Sequence, residues 1–368
     1  MRGQAGTSGD VIVISQVPPP FHGSTVMSMV FLETLDRLAL PYRLIDRRFS
    51  KDVGEVGTFK PGKLAAAAGL IGRVFGAIVR RRPRQVVFFM TNRTASFLVD
   101  CALAEILRRF RVPTIGYLHT QGYTALAERG RVWEFLVRRL LTSAQTLVCL
   151  SSALEADVRD LAPDARIVSI ANTPHRVPAM LDSPAEPAIG HEPTVLFLSN
   201  FIAEKGLGEF LDLAEHFDRQ GSPVKFVAAG APVSDDQLGA LRLAAGANTD
   251  VLGPVGPEQK WDLLQQASLL VFPSRYPFEA QPLVLVESMA AGLPVVAFDI
   301  GGIGDLVDDR ETGRLLTVGD DAGMLGAVQE LIESPEKRGQ MAHTAREQFT
   351  AKYSRTAYEE AWNDTLTH

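Results

Sequence analysis

Short apolar runs alternate with helix-patterned segments along most of the chain, and this alternation restricts the possible folds more than any other feature. In the first half the runs are Val11–Ile14, Gln85–Met90, Pro113–Leu118, Thr146–Leu150 and Ile167–Ile170. Continuous Val- and Ile-rich runs bounded by helices are typical of parallel strands that are buried on both faces of a sheet. The first half of the sequence therefore predicts a doubly wound α/β domain.

The alternation stops between His175 and Pro193 and then resumes. The prolines that interrupt it are Pro174, Pro178, Pro184, Pro187 and Pro193. Because proline lacks a backbone N–H and fixes φ, this stretch is predicted to be a linker. The second series of apolar runs consists of Val195–Ser199, Val224–Ala229, Val251–Leu252, Leu269–Pro273 and Val295–Phe298.

A chain of 368 residues is too long for one ordinary core and suits two domains. We expect an N-terminal Rossmann-like domain over residues 1–175, a linker over 176–193 and a second Rossmann-like domain over 194–345. Residues 346–368 are expected to form a C-terminal helix that packs back on the first domain. Two such sheets predict a cleft between them, with ligands outside the carboxyl ends of the strands.

Charge divides the chain into a basic and an acidic half. Residues 1–175 hold 23 Lys and Arg against 14 Asp and Glu, whereas residues 176–368 hold 14 against 29. A basic half is expected to attract an anionic partner, the alternative being simple drift in surface charge. With 46% hydrophobic and 22% charged residues, the composition is that of a globular protein and excludes disordered and collagen-like classes.

Cellular location is predicted from the cysteines and from hydropathy. Cys101 and Cys149 do not form a Cys-x-x-Cys pair, so both are expected to be buried thiols in a reducing compartment. The first ten residues lack the apolar stretch of a signal peptide, and no run of about 18 apolar residues predicts a transmembrane helix. We therefore expect a cytoplasmic protein.

Two glutamates separated by seven residues, Glu279 and Glu287, form the strongest chemical pattern. Pro282 between them suits the first position of a helix, because its missing N–H would have no partner there. The backbone amides of Leu283 and Val284 are then expected to face an anion at the positive end of the helix dipole. The alternative is an acid at a helix N-terminus and a solvated glutamate one and a half turns later.

Together with Val295–Asp299, Gly301-Gly302 and Glu311-Thr312-Gly313, this segment resembles the retaining glycosyltransferase family four, also called glycosyl transferases group 1. The resemblance covers nearly the whole chain and is dense from Val195 to Gly319. It implies the GT-B fold, an α/β architecture of two facing Rossmann-like domains with an interdomain cleft. The donor nucleotide sugar lies in the C-terminal domain of that family.

The resemblance assigns roles to residues of the second half. It implies that Glu287 binds the donor ribose, that Glu279 contacts the transferred sugar, and that the helix start at Pro282, Leu283 and Val284 binds the diphosphate. Lys205 is implied to neutralise the diphosphate. Where the family usually has an arginine five residues earlier, this sequence has Asn200, which donates hydrogen bonds but carries no charge.

Further roles follow from the same resemblance. Val255 and Gly256 match the loop that binds the nucleobase, and Gly23 matches a glycine in a loop that closes over the donor. His119 matches a histidine near the donor sugar, although a lone histidine is more often structural. His22 is a candidate for the acceptor side, with helix capping by Ser24 or Thr25 as the more common use of such a loop.

A basic helix is predicted in the first half. Its apolar positions at helical spacing are Leu64, Ala67, Ala68, Ile71, Val74, Phe75 and Ile78. Lys60, Lys63, Arg73 and the run from Arg80 to Arg84 flank them. Part of this helix is expected to pack on the sheet, and the remainder can lie on an anionic lipid surface. Nucleic acid is not expected as a partner, because aromatic residues are not interleaved with the basic clusters.

The resemblance implies an enzyme that transfers a sugar from a UDP- or GDP-sugar, with retention, to a glycan or lipid-linked acceptor in cell-surface polysaccharide or glycolipid biosynthesis. Glu279, His119 and Lys205 are the catalytic candidates. No metal or other cofactor is expected, and the seven histidines show no zinc-ligand spacing. The alternatives are a nucleotide-sugar epimerase of the same fold and, because of Asn200, an inactive transferase that serves as a binding subunit.

Overall fold

The computed structural model describes residues 10–19, 22–47, 61–178 and 192–367. The part of the predicted linker from 179 to 191 lies outside this description, as do Lys60 and the side chains of Lys63, Leu64 and Arg81. The chain divides into two compact units, Met1–His175 with Arg355–His368 and Arg176–Ser354. These limits differ from the predicted ones, since the C-terminal segment that joins the first unit begins at Arg355 and not at residue 346.

The first unit contains a six-stranded parallel sheet in the order β2-β1-β3-β4-β5-β6. Its strands are β1 (Val11–Ser15), β2 (Tyr42–Asp46), β3 (Gln85–Met90), β4 (Thr114–Leu118), β5 (Thr146–Cys149) and β6 (Arg166–Ser169). All residues of β1 and β4 are buried, as their continuous apolar runs predict.

Helices connect these strands in the manner of βαβ units. They are α1 (Gly23–Arg37), α2 (Pro61–Arg81), α3 (Thr94–Arg109), α4 (Tyr123–Ala127), α5 (Arg131–Leu141) and α6 (Ser152–Arg159). Parallel crossovers are almost always right-handed, so the strand order places α1 on one face of the sheet and α2 to α6 on the other.

The second unit repeats this architecture with a sheet in the order β12-β11-β10-β7-β8-β9. Its strands are β7 (Thr194–Leu198), β8 (Lys225–Ala229), β9 (Thr249–Gly253), β10 (Leu269–Phe272), β11 (Val295–Phe298) and β12 (Gly313–Leu316). Its helices are α7 (Leu207–Arg219), α8 (Asp235–Ala244), α9 (Pro257–Gln266), α10 (Leu283–Ala291), α11 (Asp321–Glu333) and α12 (Pro335–Gln348). The order reverses between β7 and β10, and loops after these two strands form the switch point where doubly wound sheets bind ligands.

The last helix, α13 (Arg355–Thr367), groups with the first unit. Its Trp362 is fully buried, and the indole centroid lies 4.5 Å from the ring of Phe31 in α1 and 4.9 Å from that of Tyr117 in β4. This aromatic cluster anchors α13 on the α1 face of the sheet.

Several elements depart from the sequence expectations. The prediction missed β2, α4, α6 and β12, which are short, and β2 is only partly buried at the sheet edge. Instead of one helix over 346–368, a π-helical turn at Phe349–Tyr353 and a break at Ser354 precede α13. The expectation of two buried cysteines was wrong for Cys101, which is only half-buried.

Candidate functional site

A buried ion pair joins two loops at the switch point of the second unit. The Nζ of Lys205, after β7, donates to Oε2 of Glu279, after β10, at 2.5 Å. The hydroxyl of Ser274 donates to the same carboxylate oxygen at 2.9 Å. Glu279 is only 6% exposed, and the Lys205 ammonium also lies 4.6 Å from the ring centroid of Tyr276. The carboxylate of Glu279 is thus held in one orientation by a charge and a hydroxyl.

A second buried ion pair lies one helical turn after the start of α10. The carboxylate of Glu287, inside α10, pairs with the ammonium of Lys260 in α9. Burial raises the pKa of the Glu287 carboxyl above its ordinary value, and the Lys260 charge opposes that shift. Without Lys260, an ionised Glu287 would be a buried charge without compensation.

The start of α10 lies between these two acids in the sequence. Pro282 is its N-cap, with φ −65° and ψ 122°, and the helix begins at Leu283, so the prediction of Pro282 as the first helical residue was wrong by one position. No side chain caps this helix end, and its first turn contains no acid. Leu283 and Val284 are half-exposed, and helix geometry provides no intrahelical acceptor for their amides. This end of α10 can therefore receive an anion.

Glycine permits the close approach of the Lys205 loop to the loop after β10. Gly206 adopts φ 86°, and a Cβ at this position would lie 2.2 Å from the carbonyl oxygen of Pro273. Lys205 ends a short 3-10 turn, Ala203–Lys205, directly before this glycine. Asn200, earlier in the same loop, is exposed.

The predicted base-binding loop leads into the helix that carries Lys260. Val255 is half-buried, and Gly256 is exposed as the N-cap of α9. The backbone N–H of Lys260 donates to the Gly256 carbonyl at 2.9 Å. The first turn of α9 therefore connects the loop that is predicted to bind the base with the lysine that pairs with Glu287.

The candidates in the first unit form a separate group. His22 is exposed as the N-cap of α1, Gly23 is the first helical residue, and the Thr25 hydroxyl accepts from the His22 backbone N–H at 3.1 Å. His119 follows β4 and stacks on Phe89 with ring centroids 5.2 Å apart. Burial, with a smaller effect of His22, lowers the pKa of His119 to about 3, so its imidazole is neutral.

His119 also carries a buried nitrogen with unused hydrogen-bonding capacity. Its Nε2 is inaccessible to solvent and has no hydrogen-bond partner among the residues that the structure describes. A neutral imidazole nitrogen of this kind can accept or donate one hydrogen bond, according to its tautomer. This is the type of group that a ligand hydroxyl at the carboxyl end of β4 would satisfy.

The sequence analysis did not identify Ser274 or Lys260. Ser274 is completely buried two residues after the end of β10, where a polar residue directly after an apolar strand is a recognisable signal. Lys260 carries no such signal, because a lysine on a partly exposed helix resembles any surface lysine. In the described part of the chain, no group of three or more His, Cys, Asp or Glu side chains is placed to hold a metal ion.

Comparisons with known proteins define the class of this fold. The structure superposes on sucrose-phosphate synthase from Thermosynechococcus elongatus with a TM-score of 0.76 at 17% identity, covering 97% of this chain and 98% of that one. Anabaena HepE in complex with UDP-glucose gives a TM-score of 0.70 at 18% identity, covering 97% and 99%. The chain therefore has the GT-B fold of glycosyltransferases, as its sequence predicted.

Sequence comparisons match part of the chain to a known family. Residues 182–348 match the family model described as glycosyl transferases group 1. The alpha-D-kanosaminyltransferase of Streptomyces kanamyceticus is 32% identical over 167 residues, which are 45% of this chain and 43% of that protein. The aligned part thus spans less than half of this curated relative. Residues 182–348 are therefore similar to the group 1 glycosyltransferases, and this similarity covers less than half of the chain.

Proposed function

We propose that the chain is a glycosyltransferase whose second unit holds a nucleotide-diphosphate sugar. One observation carries the proposal: the uncapped start of α10 lies beside two buried glutamates, Glu279 and Glu287, each neutralised by a lysine. A diphosphate needs hydrogen-bond donors and positive charge, and the sugars on either side of it need acceptors for their hydroxyls. Binding of UDP-glucose by the similarly folded HepE is consistent with such a donor.

The diphosphate is proposed to bind the amides of Leu283 and Val284. The Lys205 ammonium is paired with Glu279, and its other N–H groups would donate to the phosphate oxygens. These donors are fixed by the backbone before the reaction begins, so they can stabilise the charge that develops on the leaving diphosphate. This electrostatic task requires no metal or other cofactor.

Glu287 is proposed to accept hydrogen bonds from the ribose hydroxyls. An ionised carboxylate accepts hydrogen bonds through both oxygens and donates none. Burial alone would favour the protonated form of Glu287. The charge of Lys260 is therefore part of the ribose site, because it favours the ionised state. The loop of Val255 and Gly256 precedes the same helix and is proposed to bind the base through backbone groups.

Glu279 is proposed to orient the transferred sugar. In the first unit, the neutral imidazole of His119 is proposed to bind a ligand hydroxyl. No side chain is proposed as a nucleophile, so we expect front-face displacement with retention, assisted by the departing diphosphate. UDP- and GDP-sugars are the proposed donors, and a glycan or lipid-linked molecule in cell-surface polysaccharide or glycolipid biosynthesis is the proposed acceptor.

A second candidate function is donor binding without turnover, as in an inactive transferase subunit. Asn200 favours it, because its exposed amide cannot provide the charge of the family's arginine. The two candidates differ in one measurement. An active transferase releases the nucleoside diphosphate from a nucleotide sugar when an acceptor is present, whereas a binding subunit raises its melting temperature with the donor but releases nothing across an acceptor panel.

The test of donor binding is a thermal-shift screen with nucleoside diphosphates and nucleotide sugars, followed by calorimetry of the best ligand. We expect Glu287→Ala to weaken donor binding by at least about tenfold, because the ribose loses a charged acceptor. Glu258→Ala, at an exposed position of α9, is the matched control and should bind as the unmodified chain does. Equal affinity of the Glu287 variant would contradict the ribose role.

A further inference from the structure

The helix layer formed by α2, α3 and α5 exposes an unusual number of large apolar side chains. Across the described residues of the chain, the exposed large hydrophobic residues are Phe75, Val79, Leu98, Phe110, Val132, Phe135, Val177, Val233, Leu243 and Val318. The first six belong to α2, α3 and α5 or to the residue that ends α3. We call these six residues the apolar face. Val132 and Phe135 are 70% and 60% exposed, so they contribute little to the core.

These helices form one continuous surface. The strand order and right-handed crossovers place α2, α3 and α5 on the same face of the first sheet. The rings of Phe75 in α2 and Phe110 after α3 meet edge to face with centroids 5.6 Å apart. Arg139 in α5 forms an ion pair of 2.9 Å with Glu105 in α3. Phe75 and Phe110 are therefore neighbours, and the other four residues of the apolar face lie on helices of the same layer.

The face is not needed for packing on the sheet. The buried side of α2 uses Leu70, Val74 and Ile78, which are at most 3% exposed. On its outer side, a Cβ at Gly69 or Gly72 would meet nothing within 4 Å among the described residues. Phe75, one of the apolar positions of the predicted helix, is 47% exposed. Large apolar side chains that are exposed on one helix layer in this way indicate an interaction site.

Unpaired positive charge lies beside the aromatic pair. Arg80 and Arg82 follow Phe75 at the end of α2, and Arg109 and Arg111 flank Phe110 at the end of α3. All four arginines are exposed, and none forms an ion pair within the described part of the chain. Cations at helix C-termini also complement the helix dipole, but that role does not explain the exposed aromatic rings between them.

We infer that this face docks on the surface of an anionic lipid bilayer. Aromatic and aliphatic side chains enter the boundary between headgroups and acyl chains, and arginines bind the phosphates, so both halves of the pattern are used. A nucleic acid would use the arginines but leave the aliphatic Val79 and Val132 exposed, and a neutral protein surface would not use the arginines. No described helix is long and apolar enough to cross a bilayer.

The test is flotation of the purified full chain with vesicles. One set contains phosphatidylcholine only, and the other contains equal parts of phosphatidylcholine and phosphatidylglycerol. We expect binding to the anionic set only, with a loss on raising the salt concentration. Phe75→Ser/Phe110→Ser and Arg80→Glu/Arg109→Glu should each lower partitioning by at least about tenfold. Thermal melts check that both variants fold.

Matched controls come from the second unit. Val233→Ser/Leu243→Ser changes two side chains that are 70% and 92% exposed, and Arg219→Glu/Arg310→Glu makes the same charge change at exposed positions. Both controls should float like the unmodified chain. Equal binding to the two vesicle sets would overturn the inference. So would flotation of the Phe75/Phe110 and Arg80/Arg109 variants as strong as that of their controls. Loss of self-association in the Phe75/Phe110 variant, measured by sedimentation, with no vesicle binding by the unmodified chain would assign the face to a second copy instead.

Discussion

The ammonium of Lys260 in α9 pairs with the carboxylate of Glu287 in α10, and so fixes the charge of an acid that is only 7% exposed. Burial raises the pKa of Glu287, and Lys260 opposes this. The pair therefore determines the pH range in which Glu287 is ionised, which is the state that the proposed ribose site requires.

Replacement of Lys260 by Met should shift the pH dependence of donor binding. The Lys260 ammonium lowers the pKa of Glu287, so without it the carboxyl will protonate at a higher pH than in the unmodified chain. As pH decreases, donor affinity measured by calorimetry should then begin to fall at a higher pH in the variant than in the unmodified chain. Lys225→Met changes an exposed lysine and should leave the profile unchanged. Identical profiles for Lys260→Met and the unmodified chain would disprove the coupling.

Ser274 should act as a positioning residue for Glu279. Ser274→Ala removes one hydrogen bond of 2.9 Å to the carboxylate while Lys205 still neutralises it. We expect kcat to fall by about tenfold with little change in donor affinity, because one net hydrogen bond is lost from an oriented group. Ser288→Ala is the matched control, since Ser288 is equally buried but donates only to Leu285 within its own helix. An unchanged kcat in Ser274→Ala would remove this role.

Gly206 and Gly319 have the same φ but differ in how closely other atoms approach the position of a Cβ. Both have φ 86°, but a Cβ at Gly206 would meet the Pro273 oxygen at 2.2 Å, whereas a Cβ at Gly319 meets nothing within 4 Å. Gly206→Ala should therefore lower the free energy of unfolding by about 2 kcal/mol more than Gly319→Ala. Urea denaturation measures both. Equal losses would show that the two loops after β7 and β10 are not tightly joined.

A positive charge at position 200 should strengthen diphosphate binding. Asn200→Arg places a guanidinium on the loop that carries Lys205, and we expect affinity for the nucleoside diphosphate to rise about fivefold at low ionic strength. Asn363→Arg adds the same charge at an exposed position of α13 and serves as the control. If both variants bind the ligand equally, Asn200 does not lie beside the diphosphate.

The sequence was sufficient for the features that depend on local pattern. Apolar runs between helical segments predicted two doubly wound sheets, and the spacing of Glu279 and Glu287 indicated a loop acid followed by a helix acid. Lys260 was not predictable in the same way, because its partner is 27 residues away and the pairing depends on how α9 packs on α10. β2 was missed because an edge strand with exposed positions lacks the continuous apolar run of a central strand.

The claim that the start of α10 binds a nucleoside diphosphate is tested most directly by removing one backbone amide. Leu283→Pro deletes the N–H at the first helical position, where proline is well tolerated, and ψ 122° at Pro282 suits a residue before proline. Arg131→Pro makes the same change at the start of α5, after Gly130 with ψ 166°. In calorimetric titrations with UDP and GDP, we predict that Leu283→Pro weakens binding of the preferred nucleotide by at least about tenfold, with Arg131→Pro unaffected. Full affinity in a correctly folded Leu283→Pro variant would contradict the account.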